Sequence, residues 1–87
     1  MEYYFVYILF SRKLNIYYKG FTANLKNRLT QHNLGKVHST KAGIPWQIVY
    51  FEGFLSKSDA RREEIFLKSG KGRERIKYLL SDKLSYN

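Results

Sequence analysis

The segment Tyr3–Phe10 (YYFVYILF) is a continuous run of aromatic and branched residues with no polar position at a helical interval. That is the pattern of a strand covered on both faces. Ser11–Asn15 (SRKLN) is polar and short, and Ile16–Phe21 (IYYKGF) reads as a second strand. A connection this short cannot make a parallel crossover, so the two strands are expected to be antiparallel. Thr22 or Asn24 can cap a helix running to about Leu34, with Leu25 and Leu29 as its apolar stripe and Gly35 as its stop. His38–Pro45 (HSTKAGIP) is expected to be an irregular loop, and Trp46–Phe54 (WQIVYFEGF) a third strand. Ser56 with Asp59 forms a variant capping box opening a second helix that ends near Ser69–Gly70. A third, shorter helix is expected over Arg73–Lys83, with the last few residues fraying. The order β-β-α-β-α-α predicts an α+β fold, a small three-stranded antiparallel sheet with flanking helices. Neither repeats nor linkers interrupt it, so residues 1–87 are expected to form a single domain.

Size and charge narrow the picture. A domain of this length buries only about 60% of its unfolded surface. With no cysteine, neither disulfide nor thiolate zinc can brace the fold, and a Cys nucleophile is excluded. Packing must do that work, and eight Tyr and six Phe supply much of the apolar area. Sixteen Lys and Arg against seven Asp and Glu give a net charge of +9, which favours a polyanionic partner, nucleic acid before membrane. The apolar run Tyr3–Phe10 is preceded by Glu2 and is far shorter than the roughly 20 residues of a spanning helix. No membrane association is expected, and a cytoplasmic location is the default.

Several side chains are placed where chemistry could occur. Arg28 and His32 are four apart, beside the stripe Leu25–Leu29, and should emerge at the rim where helix meets sheet. There an Arg offers a planar fork to a phosphate, and a His can accept or shuttle a proton near pH 7. A solvated helix edge with an incidental His has the same spacing. Ala60, Glu64 and Leu67 project to one side of the second helix. A carboxylate between inward-facing apolar residues is costly unless it meets a cation, a donor or water. A divalent metal would serve, and so would a salt bridge to Lys68 or Arg61. Tyr7 and Tyr18 lie in the first two strands, Tyr18 beside Gly20, which suggests a bulge or a close approach by a ligand backbone. Tyr3, Tyr4, Tyr17 and Tyr50 read as packing. Lys36, His38, Thr40 and Lys41 form a polar loop that can touch a phosphate backbone. Ser69–Arg73 is a Gly-spaced basic turn opening a helix, favourable to anions but without P-loop spacing.

These residues resemble the GIY-YIG nuclease superfamily over about residues 3–80. The likeness is to its small stand-alone members, which are similar to the nuclease domain of the bacterial excision-repair enzyme and of some homing endonucleases. Phe5-Val6-Tyr7 matches the first motif and Tyr18-Lys19-Gly20 the second. Tyr7 and Tyr18 stand eleven apart, Arg28 follows ten later, and His32 one helical turn beyond. Arg28–Gly35, Ile44–Tyr50 and Ala60–Glu64 with Leu67-Lys68 complete the pattern, aligning Glu64 with the metal-binding Glu. Phe5-Val6 replaces Gly-Ile, and Lys19 replaces Ile. The Asn that many members carry after the metal Glu is absent before Asn87. Lys71, Arg73 and Lys77 are the candidates to stand in for it.

The resemblance implies phosphodiester hydrolysis with one divalent metal, Mg²⁺ or Mn²⁺, held by Glu64, in the setting of DNA repair or recombination. Tyr7 would take the proton of the attacking water, helped by nearby cations that lower its pKa and by His32 as relay. Tyr18 would orient the water or Tyr7, and Arg28 would steady the phosphate charge. Lys19, Lys36, His38, Thr40, Lys41, Lys71 and Arg73 are candidate nucleic-acid contacts. The expected partner is DNA, read by structure or without specificity, with RNA open and a protein partner able to supply specificity. Two other classes share the composition: a non-catalytic nucleic-acid-binding module that keeps the fold, and a basic protein-interaction domain.

Overall fold

A computed structural model describes residues 2–84 of the chain. The elements are β1 (Tyr4–Ser11), β2 (Ile16–Thr22), α1 (Leu25–Asn33), a 3₁₀ helix (His38–Gly43), β3 (Trp46–Phe54), α2 (Lys57–Leu67), α3 (Gly70–Leu79) and a short α4 (Ser81–Leu84). The fold is α+β, with one antiparallel sheet in the order β2-β1-β3. The apolar run therefore becomes the central strand, and its side chains from Val6 to Ser11 are all buried. Alternation along β1 divides them between two cores. Val6 and Ile8 pack with Ala60, Leu67, Ile76 and Leu80 beneath α2 and α3. Tyr7 and Leu9 pack with Trp46, Leu25, Leu29, Ile44 and Ile48 beneath α1 and the 3₁₀ helix.

The β1–β2 register is unbroken and pairs Tyr7 with Gly20. The bulge the sequence suggested at Gly20 is instead on β3, where Val49 is the extra residue between the pairs Ile8–Tyr50 and Leu9–Ile48. Asn24 caps α1 by accepting from the Asn27 backbone N–H at 3.0 Å. Gly35 follows the helix at φ +78°. Ser56 accepts from the Asp59 N–H at 3.3 Å and opens α2.

Three expectations need correction. His38–Gly43 is a 3₁₀ helix rather than an irregular loop; Thr40, buried at its centre, anchors it inward. α3 begins at Gly70, three residues earlier than expected, because the Ser69 hydroxyl accepts from the Gly72 N–H at 3.1 Å and caps it. It ends at Leu79, not Lys83, since the Leu80 backbone departs from helical angles (φ −119°, ψ 26°) before α4. The expected fraying of the last few residues falls on 85–87, outside the described residues.

The basic turn Ser69–Arg73 is thus a helix start whose glycines do different jobs. A Cβ on Gly72 would overlap the Phe66 carbonyl and the Leu67 backbone, so its bareness lets α3 pack against the end of α2. A Cβ on Gly70 would meet nothing closer than the Arg73 guanidinium at 4.0 Å. Gly70→Ala should leave the melting temperature unchanged or raise it, the helix gaining up to about 1 kcal/mol, since Ala is the better helix former. Gly72→Ala should lower it by several degrees, at about 4–8 °C per kcal/mol for a domain this size. Thermal unfolding followed by circular dichroism reads both, and equal effects would sink the packing argument.

Candidate active site

The site is built where β1, β2 and α1 meet. Tyr7 lies in the middle of β1, and its ring passes over Gly20, where a Cβ would overlap the ring and its hydroxyl. Gly20 is bare for that reason, so the close approach is made by a side chain of the same protein. The Tyr7 hydroxyl reaches the His32 Nε2 at 2.9 Å. On the other side of the imidazole, Nδ1 lies 2.8 Å from the Thr40 Oγ1. Thr40 in turn donates its hydroxyl proton to the Val37 carbonyl at 3.2 Å.

This chain assigns the protons. The Thr40 proton is committed to Val37, so the Thr40 oxygen accepts from His32 Nδ1–H. His32 is 0% exposed, and burial followed by the Arg28 charge pushes its pKa down to about 4. The imidazole is therefore neutral near pH 7, with Nε2 bare, and Tyr7 donates to it. The sequence placed His32 at the rim where helix meets sheet; the structure buries it completely, with the Tyr7 and Tyr18 rings packed edge-on against the imidazole. Tyr18 closes over the imidazole edge-on, ring centroids 5.2 Å apart, and over Trp46 at 6.3 Å.

Arg28 stays half-buried and donates from Nη1 to the Gln31 Oε1 at 3.0 Å. It also lies near enough to Tyr7 to act on its hydroxyl. Cations near Tyr7 were expected to lower its pKa. Arg28 does pull it down, but burial is the larger effect, and the net direction is up, with the charges of Tyr18 and Glu64 adding to it. Tyr7, Tyr18, Arg28 and His32 thus form one contact cluster, and Glu64 lies within electrostatic reach of Tyr7.

Glu64 sits between Ala60 and Leu67 on the inner side of α2 and is 8% exposed. Lys68 Nζ donates to its Oε2 at 3.1 Å, and Arg61 Nη1 lies 3.7 Å from its Oε1. Both salt-bridge partners considered from the sequence are therefore engaged. No group of three or more His, Cys, Asp or Glu that could hold a metal occurs among the described residues. A lone carboxylate fits a hard ion such as Mg²⁺, which commonly takes one or two carboxylates and fills its remaining positions with water and phosphate oxygens. It does not fit a structural zinc. Such an ion would compete with the Lys68 ammonium for the same oxygen.

The expected nucleic-acid contacts divide. Lys36, His38, Lys41, Lys71 and Arg73 are exposed. Lys19 is half-buried, and its pKa is lowered by burial and then by the neighbouring charges of Arg73 and Lys68. Thr40 is a correction: it is 1% exposed, with its hydroxyl spent between His32 and Val37, so it cannot touch a polyanion. Its place behind the imidazole was missed, since spacing alone does not show which way a residue eight positions after His32 turns. Asn33 was missed too. Its side chain accepts from the Trp46 N–H at 2.6 Å and donates to the Trp46 carbonyl at 3.0 Å, pinning α1 to β3.

Comparisons with known proteins bear on the family and the fold. A family model described as the GIY-YIG catalytic domain matches residues 3–77. The chain is 38% identical over 80 residues to the UPF0213 protein SH2523 of Staphylococcus haemolyticus, covering 91% of this chain and 96% of that one. It is 35% identical over 79 residues to the UPF0213 protein OB0043 of Oceanobacillus iheyensis, covering 90% and 91%. The solution NMR structure of the UPF0213 protein BH0048 from Bacillus halodurans superposes with a TM-score of 0.53 at 32% identity, covering 91% of this chain and 85% of that one.

The buried imidazole makes stability pH-dependent with a definite sign. Its folded pKa, about 4, lies below the ordinary 6.5, so the folded state binds fewer protons than the unfolded state. Its contribution is complete above about pH 6.5 and is lost as the pH falls through about 4. The melting temperature should fall over that window, and the fall should be shallower in His32→Gln. NMR titration of the His32 ring should show it neutral at pH 5.5; an imidazolium there would refute the proton assignment.

Proposed function

The chain belongs to the GIY-YIG family, and on that premise we propose that it is a divalent-metal-dependent endonuclease that hydrolyses DNA phosphodiester bonds, in repair or recombination. The observation that carries this reading is the Tyr7 hydroxyl. It is held between a neutral imidazole that accepts its proton and an arginine that stays half-exposed beside it.

The residues divide the work as follows. As water attacks phosphorus, it gives a proton to the Tyr7 oxygen while the Tyr7 proton passes to His32 Nε2. His32 Nδ1–H stays on Thr40, so the ring keeps its orientation as it becomes cationic. The weak basicity of His32 makes it a brief holder of that proton. An anionic phosphate beside Arg28 raises that basicity, since a nearby negative charge favours the cationic form. Arg28 presents its guanidinium to the charge growing on the phosphate oxygens. Tyr18 closes the imidazole from water. Glu64 would hold Mg²⁺ or Mn²⁺, which supplies neutralisation of the phosphate and of the leaving 3′ oxygen when bound. The exposed Lys36, His38, Lys41, Lys71 and Arg73 supply sequence-independent affinity for the backbone.

One observation favours a second reading. The Glu64 carboxylate already has two cationic partners, as it would in a non-catalytic nucleic-acid-binding module where it only secures α2.

Nicking of supercoiled plasmid at low salt with Mg²⁺ or Mn²⁺ separates the two. Wild type should nick, EDTA and Glu64→Ala should abolish it, and Arg28→Ala should cost about 10²–10³ in rate, as loss of a transition-state donor does. Binding without cutting on plasmid, branched, single-stranded and RNA substrates would establish the binding module instead. A Mn²⁺ titration followed by NMR tests the carboxylate directly. Amide signals around Glu64 should broaden in wild type, broaden at lower Mn²⁺ in Lys68→Ala, and be spared in Glu64→Gln.

A further inference from the structure

Among the described residues β2 is an edge strand, paired with β1 alone. Between it and α3 runs a groove of about 260 Å³ lined by Ile16, Tyr17, Lys19, Arg73, Ile76 and Lys77. Three cationic side chains line it, and among the described residues no carboxylate does. Its floor is apolar: Ile76 is buried, Tyr17 packs on Phe10 with ring centroids 5.2 Å apart, and Ile16 forms a lip that is 47% exposed. The Tyr17 hydroxyl is buried, with no hydrogen-bond partner among the described residues. Burial first, and then the charges of Arg73 and Lys68, lower the Lys19 pKa, and an anion beside it would offset that shift.

We propose that this groove holds one unpaired nucleotide of a nucleic-acid strand, its phosphate among Lys19, Arg73 and Lys77 and its base on the floor of Ile16, Tyr17 and Ile76. The inference rests on the reading that the chain binds nucleic acid, and it names the substrate class. The cations match the phosphate, and the apolar floor needs something to cover it. In an intact duplex the bases are paired and stacked, so the backbone alone would reach this groove. An unpaired base can turn outward onto an apolar or aromatic surface. The volume lies just under the about 300–1,000 Å³ of pockets for drug-sized ligands, so it admits one nucleotide unit and not a stretch of helix. The groove lies toward the candidate active site, because Lys68, within electrostatic reach of Lys19, pairs with Glu64. The strand held there is therefore the one presented for cutting, and single-stranded, frayed or branched nucleic acid is preferred over uninterrupted duplex.

The test uses the full chain in low salt with EDTA, so that binding is read without cleavage. Amide chemical shifts are followed during titration with a short thymidine single strand, a blunt duplex of similar length, and inorganic phosphate. The single strand should move the amides of residues 16–19 and 73–77, and the duplex should leave them near their free positions. Lys77→Ala should weaken strand binding and reduce the salt slope by about 1, as loss of one phosphate contact does. Ile16→Ser should weaken binding of the strand but not of inorganic phosphate, with melting temperatures checking that both variants fold. Equal shifts from duplex, a pattern reproduced by inorganic phosphate alone, or no shift in these two segments would each overturn the proposal. Failure of plasmid nicking would leave these readouts untouched, so the two readings fail separately.

Discussion

The Tyr7 hydroxyl can reach the His32 imidazole because Gly20, its partner across the strands, carries no side chain. That contact ties the centre of the sheet to α1, and the Nδ1–Thr40 bond carries the tie onward to the 3₁₀ helix. Each link depends on the one before it. A ring displaced from Gly20 would leave Nε2 bare in a dry pocket, and an imidazole without Thr40 would lose the bond that decides which nitrogen carries the proton. Buried polar chains of this kind are costly when partly satisfied and rigid when complete. Here every member between Tyr7 and Val37 has a partner, which holds a proton acceptor in one tautomer beneath the sheet surface.

Charge is organised differently on the two sides of the sheet. On the α1 side, a cation and neutral polar groups surround Tyr7, and Arg28 alone offsets the burial that raises the Tyr7 pKa. On the α2–α3 side, Lys19, Lys68 and Arg73 stand close enough to feel one another, with Glu64 as the countercharge to Lys68. An electropositive surface around one shielded carboxylate draws in a polyanion. The Glu64–Lys68 pair is consistent with both roles of the glutamate. The ammonium lies half-exposed on a flexible stem, so it can leave the oxygen at little cost, whereas a deeply buried pair would have to be broken.

The strands and helices were legible because their signals are local: the apolar run of β1, the Asn24 and Ser56 caps, the stop at Gly35. The inward direction of Ala60, Glu64 and Leu67 was also legible, since helical phase alone places them on one side. What escaped was the depth of α1 against the sheet. Phase put Arg28 and His32 beside the apolar stripe, but only the packing of Tyr7 and Tyr18 against the imidazole decides that His32 is dry while Arg28 keeps access to solvent. Thr40 was unreadable for the same reason. In an apparent loop it looks like a surface hydroxyl, and the 3₁₀ turn that swings it inward is a tertiary outcome. Gly72 resembled part of an anion-binding turn, while its real constraint is a helix backbone more than three residues away in sequence.

The departures from the family motifs sort by the same physics. Of the six named letters, this chain keeps Tyr7, Tyr18 and Gly20. These are the ring that supplies the hydroxyl, the ring that covers its acceptor, and the bare position that lets the first ring pass. The letters it changes are packing positions. Val6 is wholly buried in the core beneath α2, and Phe5 packs edge-on against Phe51, with ring centroids 6.2 Å apart. Aromatic and branched residues serve there as well as small ones, provided the neighbours repack. Lys19 is the informative exception. It pairs across the strands with buried Ile8, yet it presents a cation to the groove beside α3 rather than an apolar chain to the core. Placing an ammonium there costs solvation, as its lowered pKa records, and that cost is understandable if an anion is bound beside it. The altered letter thus lies in a groove that gathers cations over an apolar floor, so under the proposed reading the departure is a change in what the protein grips.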